Sequence, residues 1–203
     1  MANLLAATNL SSGQSVKLDT GNIVGGALNL SVVVGGGHVL DVTNAKTNAG
    51  QPAPATPATG NMGIARTSGA SLQLLGEVAS SGANASDQAL WQFNLPTTYQ
   101  GGTAIPITVN GLAAGSGTIV ASGTTLGVAA FVVSGGVETP LTVTGGSQAL
   151  PGSATTLSWS VGSAAAASAN LSAGTNLVVE ITAAVQVSSG TRQATINTVS
   201  YTA

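Results

Sequence analysis

The chain has 203 residues, with four Lys or Arg, six Asp or Glu and one His, so 5% of it is charged and its formal net charge is −2. Soluble domains carry about 25% charged residues, so solubility here rests on Ser, Thr, Asn and Gln, and weak charge repulsion favours self-association. With no Lys/Arg cluster to displace phosphate counterions, nucleic acid is excluded as a partner, and the lack of Cys excludes disulfides, thiolate catalysis and Cys-based metal sites.

Residues 1–19 contain no basic residue before Lys17 and no uninterrupted apolar core, which predicts no secretory signal and a cytoplasmic site of synthesis. Residues 23–40 lack acidic and basic side chains but are interrupted by glycines, Asn29, Ser31 and His38. A bilayer span needs ~20 predominantly apolar residues, and six aromatics are too few for the two girdles of an outer-membrane barrel. No membrane partner is expected.

Two β-branched bursts, 28–34 and 38–42, flank Gly35-Gly36-Gly37. Leu28, Leu30, Val32 and Val34 give the first burst one apolar face. A segment of this size is marginal as an independent core, since that limit lies near ~40–60 residues. Residues 1–48 are therefore expected to form an arm or β-hairpin region that completes its hydrogen bonding on the main domain or a neighbour. Pro52, Pro54 and Pro57 then lie in a stretch without apolar periodicity, which predicts an extended, solvated linker over 49–67.

From residue 68 onward a period of two dominates. Trp91, Phe93 and Leu95 alternate with Gln92 and Asn94. Ile105, Ile107 and Val109 alternate with Pro106, Thr108 and Asn110, and Leu157, Trp159 and Val161 with Ser158 and Ser160. The longest run, 177–187, places Leu177, Val179, Ile181, Ala183, Val185 and Val187 on one face, with Glu180, Thr182 and Gln186 on the other. Turn chemistry separates such runs at Gly101-Gly102, Asn110-Gly111, Ser134-Gly135-Gly136, Gly145-Gly146, Pro151-Gly152 and Ser189-Gly190. Strands with one dry and one wet face predict an all-β fold, an antiparallel jelly-roll-like β-sandwich over 68–203 preceded by the β-rich arm. Trp91, Phe93, Trp159, Val179 and Ile181 are its expected core. The alanines of 163–169 support only a loop or about two turns of helix.

Chemistry is thinly represented. His38, the single imidazole, has only Asp41 nearby in sequence, and no strained Gly-x-Ser-x-Gly elbow supplies a nucleophile. The six carboxylates, Asp19, Asp41, Glu77, Asp87, Glu138 and Glu180, show no spacing suited to glycoside hydrolysis or a calcium loop. The glycine clusters are not followed by Gly-Lys-Ser/Thr and read as turns. No catalytic residue, cofactor or metal ligand is assigned from sequence; a lone cation site built mostly from backbone carbonyls is the one metal chemistry left open.

Ala89-Leu90-Trp91-Gln92-Phe93-Asn94-Leu95-Pro96-Thr97-Thr98-Tyr99-Gln100-Gly101-Gly102 resembles the opening of jelly-roll domains in tailed-phage virion proteins, with 177–187 and 194–201 in the places of their last strands. The resemblance covers about 87–203. It implies a structural, non-enzymatic virion protein, synthesised in the host cytoplasm and carried on the capsid surface as a decoration or cement protein. Its implied partners are the major capsid protein and further copies of itself, with a trimer preferred over a dimer. The alternative implied by the same group is a tail or fibre protein recognising host glycan; the thin aromatic content departs from a sugar-stacking platform.

Overall fold

The computed structural model describes residues 37–66, 71–99, 101–162 and 171–203, and these form one compact unit, Gly37–Ala203. Its first strands are β1 (Gly37–Leu40), β2 (Gly63–Arg66), β3 (Leu72–Leu75), β4 (Ala79–Ser80), β5 (Asn84–Asn94) and β6 (Ile105–Ile119). They are followed by β7 (Thr125–Ser134), β8 (Val137–Pro140), β9 (Val143–Thr144), β10 (Gln148–Ala149), β11 (Thr155–Val161) and β12 (Asn176–Thr202). All pairings between these strands are antiparallel.

The 27 residues of β12 belong to two sheets. Its first half lies between β5 and β7, with β8 and β10 on the far side of β7. Its second half lies between β6 on one edge and β4, β3 and β1 in succession on the other; β11 and β9 extend the β6 side, and β2 extends β3. The inner faces share a single core in which Trp91, Leu126, Val179 and Ile181 of one sheet meet Ile107, Val109, Trp159 and Val161 of the other. The architecture is thus an antiparallel, jelly-roll-like β-sandwich.

The crossing between sheets is built from bulges and glycines. Each extra residue in a strand reverses which side chains point inward. Register shifts at Val187/Ser189 and Ile196/Thr198 change the buried set from odd positions through Val187 to Ala194 and Ile196, and then to Val199 and Tyr201. At the first shift, a Cβ on Gly190 would lie 2.6 Å from the Ser116 carbonyl oxygen, and one on Gly117 would clash with that of Ser189. The connection from β6 to β7 turns beside this point. There the buried Thr124 hydroxyl both donates to the Gln186 carbonyl and accepts from the Gln186 N–H, each at 3.0 Å.

Three sequence expectations differ from this arrangement. Asn110-Gly111 and Ser189-Gly190 are not turns but lie within β6 and β12; at Gly111 the reason is close packing, since a Cβ would lie 2.9 Å from Ile196 Cδ1. The compact unit begins at Gly37 rather than after residue 48. The proline-rich stretch is not a free linker either. Lys46 exchanges both backbone hydrogen bonds with Leu90, Met62 N–H donates to the Gln88 carbonyl, and Gln88 N–H donates to that of Gly60. The stretch covers the outer edge of β5, a position that needs only intermittent N–H donors and so tolerates proline. The alanine-rich residues 163–169 lie outside the described residues.

Trp91 and Trp159 are 2% and 3% exposed, and their indole N–H groups donate to the carbonyls of Asp41 at 2.9 Å and Gly146 at 2.6 Å. Trp91 thereby joins the segment after β1 to the sandwich. Replacing either Trp by Ala is expected to cost about 3–5 kcal/mol, and Trp91→Phe about 1–3 kcal/mol because the Asp41 carbonyl loses its donor. Urea denaturation of the three variants measures these differences; an unshifted midpoint for either alanine variant contradicts them.

Candidate functional site

The arm residues Leu28, Leu30, Val32 and Val34 lie outside the described residues. Of the proposed core positions, Trp91, Trp159, Val179 and Ile181 are buried and Phe93 is half-buried. Phe93 stacks on Tyr201 with ring centroids 4.5 Å apart, and His38 stacks on Tyr201 at 4.8 Å. These rings come from β5, β12 and β1, so the single imidazole forms part of an aromatic plug rather than standing beside a nucleophile. Burial raises the Tyr201 hydroxyl above its ordinary pKa. Tyr99 is buried and its hydroxyl donates to the Thr103 carbonyl at 2.6 Å. Phe131 is half-buried, opposite Val178 and Pro140 in the ladder. None of the six aromatics presents an exposed ring for stacking.

Two surface features have the concavity a partner requires. The first is a shallow groove of about 430 Å³ between β1 and β3, lined by Val39, Val42, Leu72, Asn197 and Thr198. Val39 is 70% and Leu72 41% exposed. Val39 points outward because its neighbours His38 and Leu40 take the inward positions of β1. The second is a cleft of about 640 Å³ beside the β7–β8 hairpin, lined by Val132, Thr139, Leu141, Thr175 and Asn176. The Asn176 Oδ1 atom is buried without a hydrogen-bond partner among the described residues.

A third feature comes from the carboxylates. Glu77 and Asp87, ten positions apart, are brought together by the β3–β4–β5 meander: the Glu77 N–H donates to Asp87 Oδ2 at 2.8 Å, and the Thr59 hydroxyl donates to Glu77 Oε1 at 3.3 Å. Asp87 is 1% exposed, and its Oδ1 has no hydrogen-bond partner among the described residues. Burial, and secondarily the Glu77 charge, hold the Asp87 carboxyl above its ordinary pKa despite backbone donors at Glu77 and Gly60. Gly76 makes room for it, since a Cβ there would lie 2.9 Å from Asp87 Oδ2. Sequence spacing missed this pair. The available signal was parity: the alternation through Trp91 and Phe93, continued back along β5, puts Asp87 on the inward face. Asp41 differs, its carboxylate accepting from the Thr43 N–H at 2.9 Å, which lowers its pKa.

No protein-family model matches the chain, and no curated protein sequence matches it. Among solved structures it is similar to a xylan-binding module, CBM15, with TM-score 0.46 and 16% identity over 83% of this chain and 96% of that one. A CBM4 structure matches with TM-score 0.37 and 12% identity, over 70% and 89% of the two chains. At these values the likeness is one of general outline and assigns no ligand here.

The raised pKa of Asp87 sets the sign of a pH effect. A carboxyl that binds its proton more tightly when folded adds stability below its unfolded pKa of about 3.9, and that contribution is lost as pH rises through the folded value. In chelator-treated protein, Asp87→Asn, which keeps an acceptor for the Glu77 N–H, is expected to match wild type near pH 3.5 and to be the more stable of the two at pH 7. Thermal melts across this range test it; a variant less stable at pH 7 contradicts the sign.

Proposed function

We propose that this chain is a non-catalytic structural protein that acts by packing against copies of itself and a larger assembly, in the specific form of a phage capsid decoration or cement protein. The observation that carries the reading is the apolar groove at Val39 and Leu72 on a chain with 5% charged residues. An apolar surface of a neighbouring subunit closes that groove. With so few charges, attachment draws on apolar burial at about 25 cal/mol per Å² and on strand-edge hydrogen bonds. The segment before Gly37 serves as the arm that docks on the major capsid protein, with Leu28, Leu30, Val32 and Val34 as its apolar face. Bodies related by a closed threefold axis straddle capsomer junctions and raise the work of separating them.

Glycan recognition is the second reading, favoured by the cleft at Asn176. Its Oδ1 is an unused acceptor, and Thr139 and Thr175 line the same cleft, a polar set suited to sugar hydroxyls. The enclosed aromatics weigh against it, because ring faces supply much of the apolar contact to a sugar.

Sedimentation velocity at micromolar concentration is expected to show an oligomer for wild type. The double variant Val39→Asp, Leu72→Asp should sediment as a monomer with an unchanged far-UV circular dichroism spectrum. A monomeric wild type removes the assembly reading. Glycan binding that Asn176→Ala abolishes without altering oligomeric state replaces it with the second reading.

A further inference from the structure

Burying a carboxylate is costly unless both oxygens are satisfied, and an orphaned buried polar atom calls for a cause. Asp87 satisfies Oδ2 through the Glu77 N–H and leaves Oδ1 unpartnered among the described residues, in a side chain that is 1% exposed. The nearby Glu77 makes the arrangement more anionic, which is the opposite of what an isolated buried acid needs. Both groups gain if a cation sits between them.

We propose that Asp87 and Glu77, with oxygen atoms of the Thr59-Gly60 turn, form a binding site for a hard divalent cation of the calcium type. The donor set consists of oxygen. Thr59 places its hydroxyl 3.3 Å from Glu77 Oε1, and Gly60 has a positive φ of 78° that turns the backbone tightly over Asp87. Gly76 lets the opposite backbone approach, with no room for a side chain before Asp87 Oδ2. Soft or borderline ions find no ligand here, since the chain lacks Cys and its one His is stacked on Tyr201. Irregular ligation by two carboxylates, a hydroxyl and carbonyls suits Ca²⁺ better than Mg²⁺, which demands near-octahedral geometry and keeps its waters.

No group of three or more His, Cys, Asp or Glu side chains comes together among the described residues. The low ligand charge places the expected affinity at about 10⁻⁴–10⁻³ M. Bound cation would tie the turn before β2 to β5 and to the β3–β4 connection, the region where the proline-rich segment covers the sheet edge. The cation would therefore act on stability rather than on chemistry.

The test uses the full chain, treated with chelator and dialysed, and melted at pH 7 with calcium chloride, magnesium chloride, or sodium chloride at matched ionic strength. A tenfold excess of Ca²⁺ over the dissociation constant is expected to raise the Tm by about 3–6 °C, with a smaller effect of Mg²⁺ and none of the matched Na⁺. Asp87→Asn should abolish the calcium shift and Glu77→Gln should reduce it. Glu77 is only half-buried, so its variant keeps the test open should Asp87→Asn fail to fold. An absent calcium shift, an equal shift with sodium, or a shift unchanged in Glu77→Gln overturns the proposal.

Discussion

Everything in the sandwich depends on keeping one strand hydrogen-bonded on both edges along almost its whole length. β12 contributes to both sheets, and its neighbours change beneath it: β5 gives way to β4, β3 and β1 on one edge, while β7 gives way to β6 on the other. Such a strand must bend without losing its ladder. The bend is made where glycines allow two backbones to approach more closely than side chains permit, and where Thr124 takes over hydrogen bonds with Gln186 that a continuous ladder would otherwise supply. The two bulges then keep apolar residues facing inward on either side of the corner.

The same constraint explains the crowding of polar groups at β5. That strand pairs with β12 on one edge and is covered by the proline-rich segment on the other. Its inward face is apolar from Ala89 through Phe93 but carries Asp87 nearer its start. The meander that delivers β5 to β12 passes through Gly76 and Glu77, so the acid pair stands where chain geometry, rather than sequence proximity, puts it.

The legible part of this fold was the part governed by period two. The alternation over 177–187 identifies the dry face of β12, and the indoles at 91 and 159 identify its packing partners. Glycine was the ambiguous letter. A Gly-containing dipeptide announces either a turn or a crossing of two backbones, and Ser189-Gly190 and Asn110-Gly111 are of the second kind. The distinction is tertiary, set by the Ser116 carbonyl and the Ile196 side chain. Proline was ambiguous for a related reason: missing N–H groups are as compatible with an edge cover as with a solvated linker. The carboxylate pair was hidden because spacing was examined along the chain, while inward parity on β5 was the informative coordinate.

The position of β12 also bears on how the molecule is made. Gly37 pairs with Thr202, and Leu74 with Ile196, so strands synthesised early wait for partners that leave the ribosome much later. At elongation rates of about 5–20 residues per second that interval is on the order of ten seconds, far longer than the microseconds in which a local hairpin closes. During it, apolar strand edges on a chain with 5% charge stand open. The proline-rich cover over β5 lies within easy reach of that strand in sequence and guards one of those edges while the other awaits β12. Folding of this chain is therefore a race between the arrival of one long strand and the association of nascent neighbours.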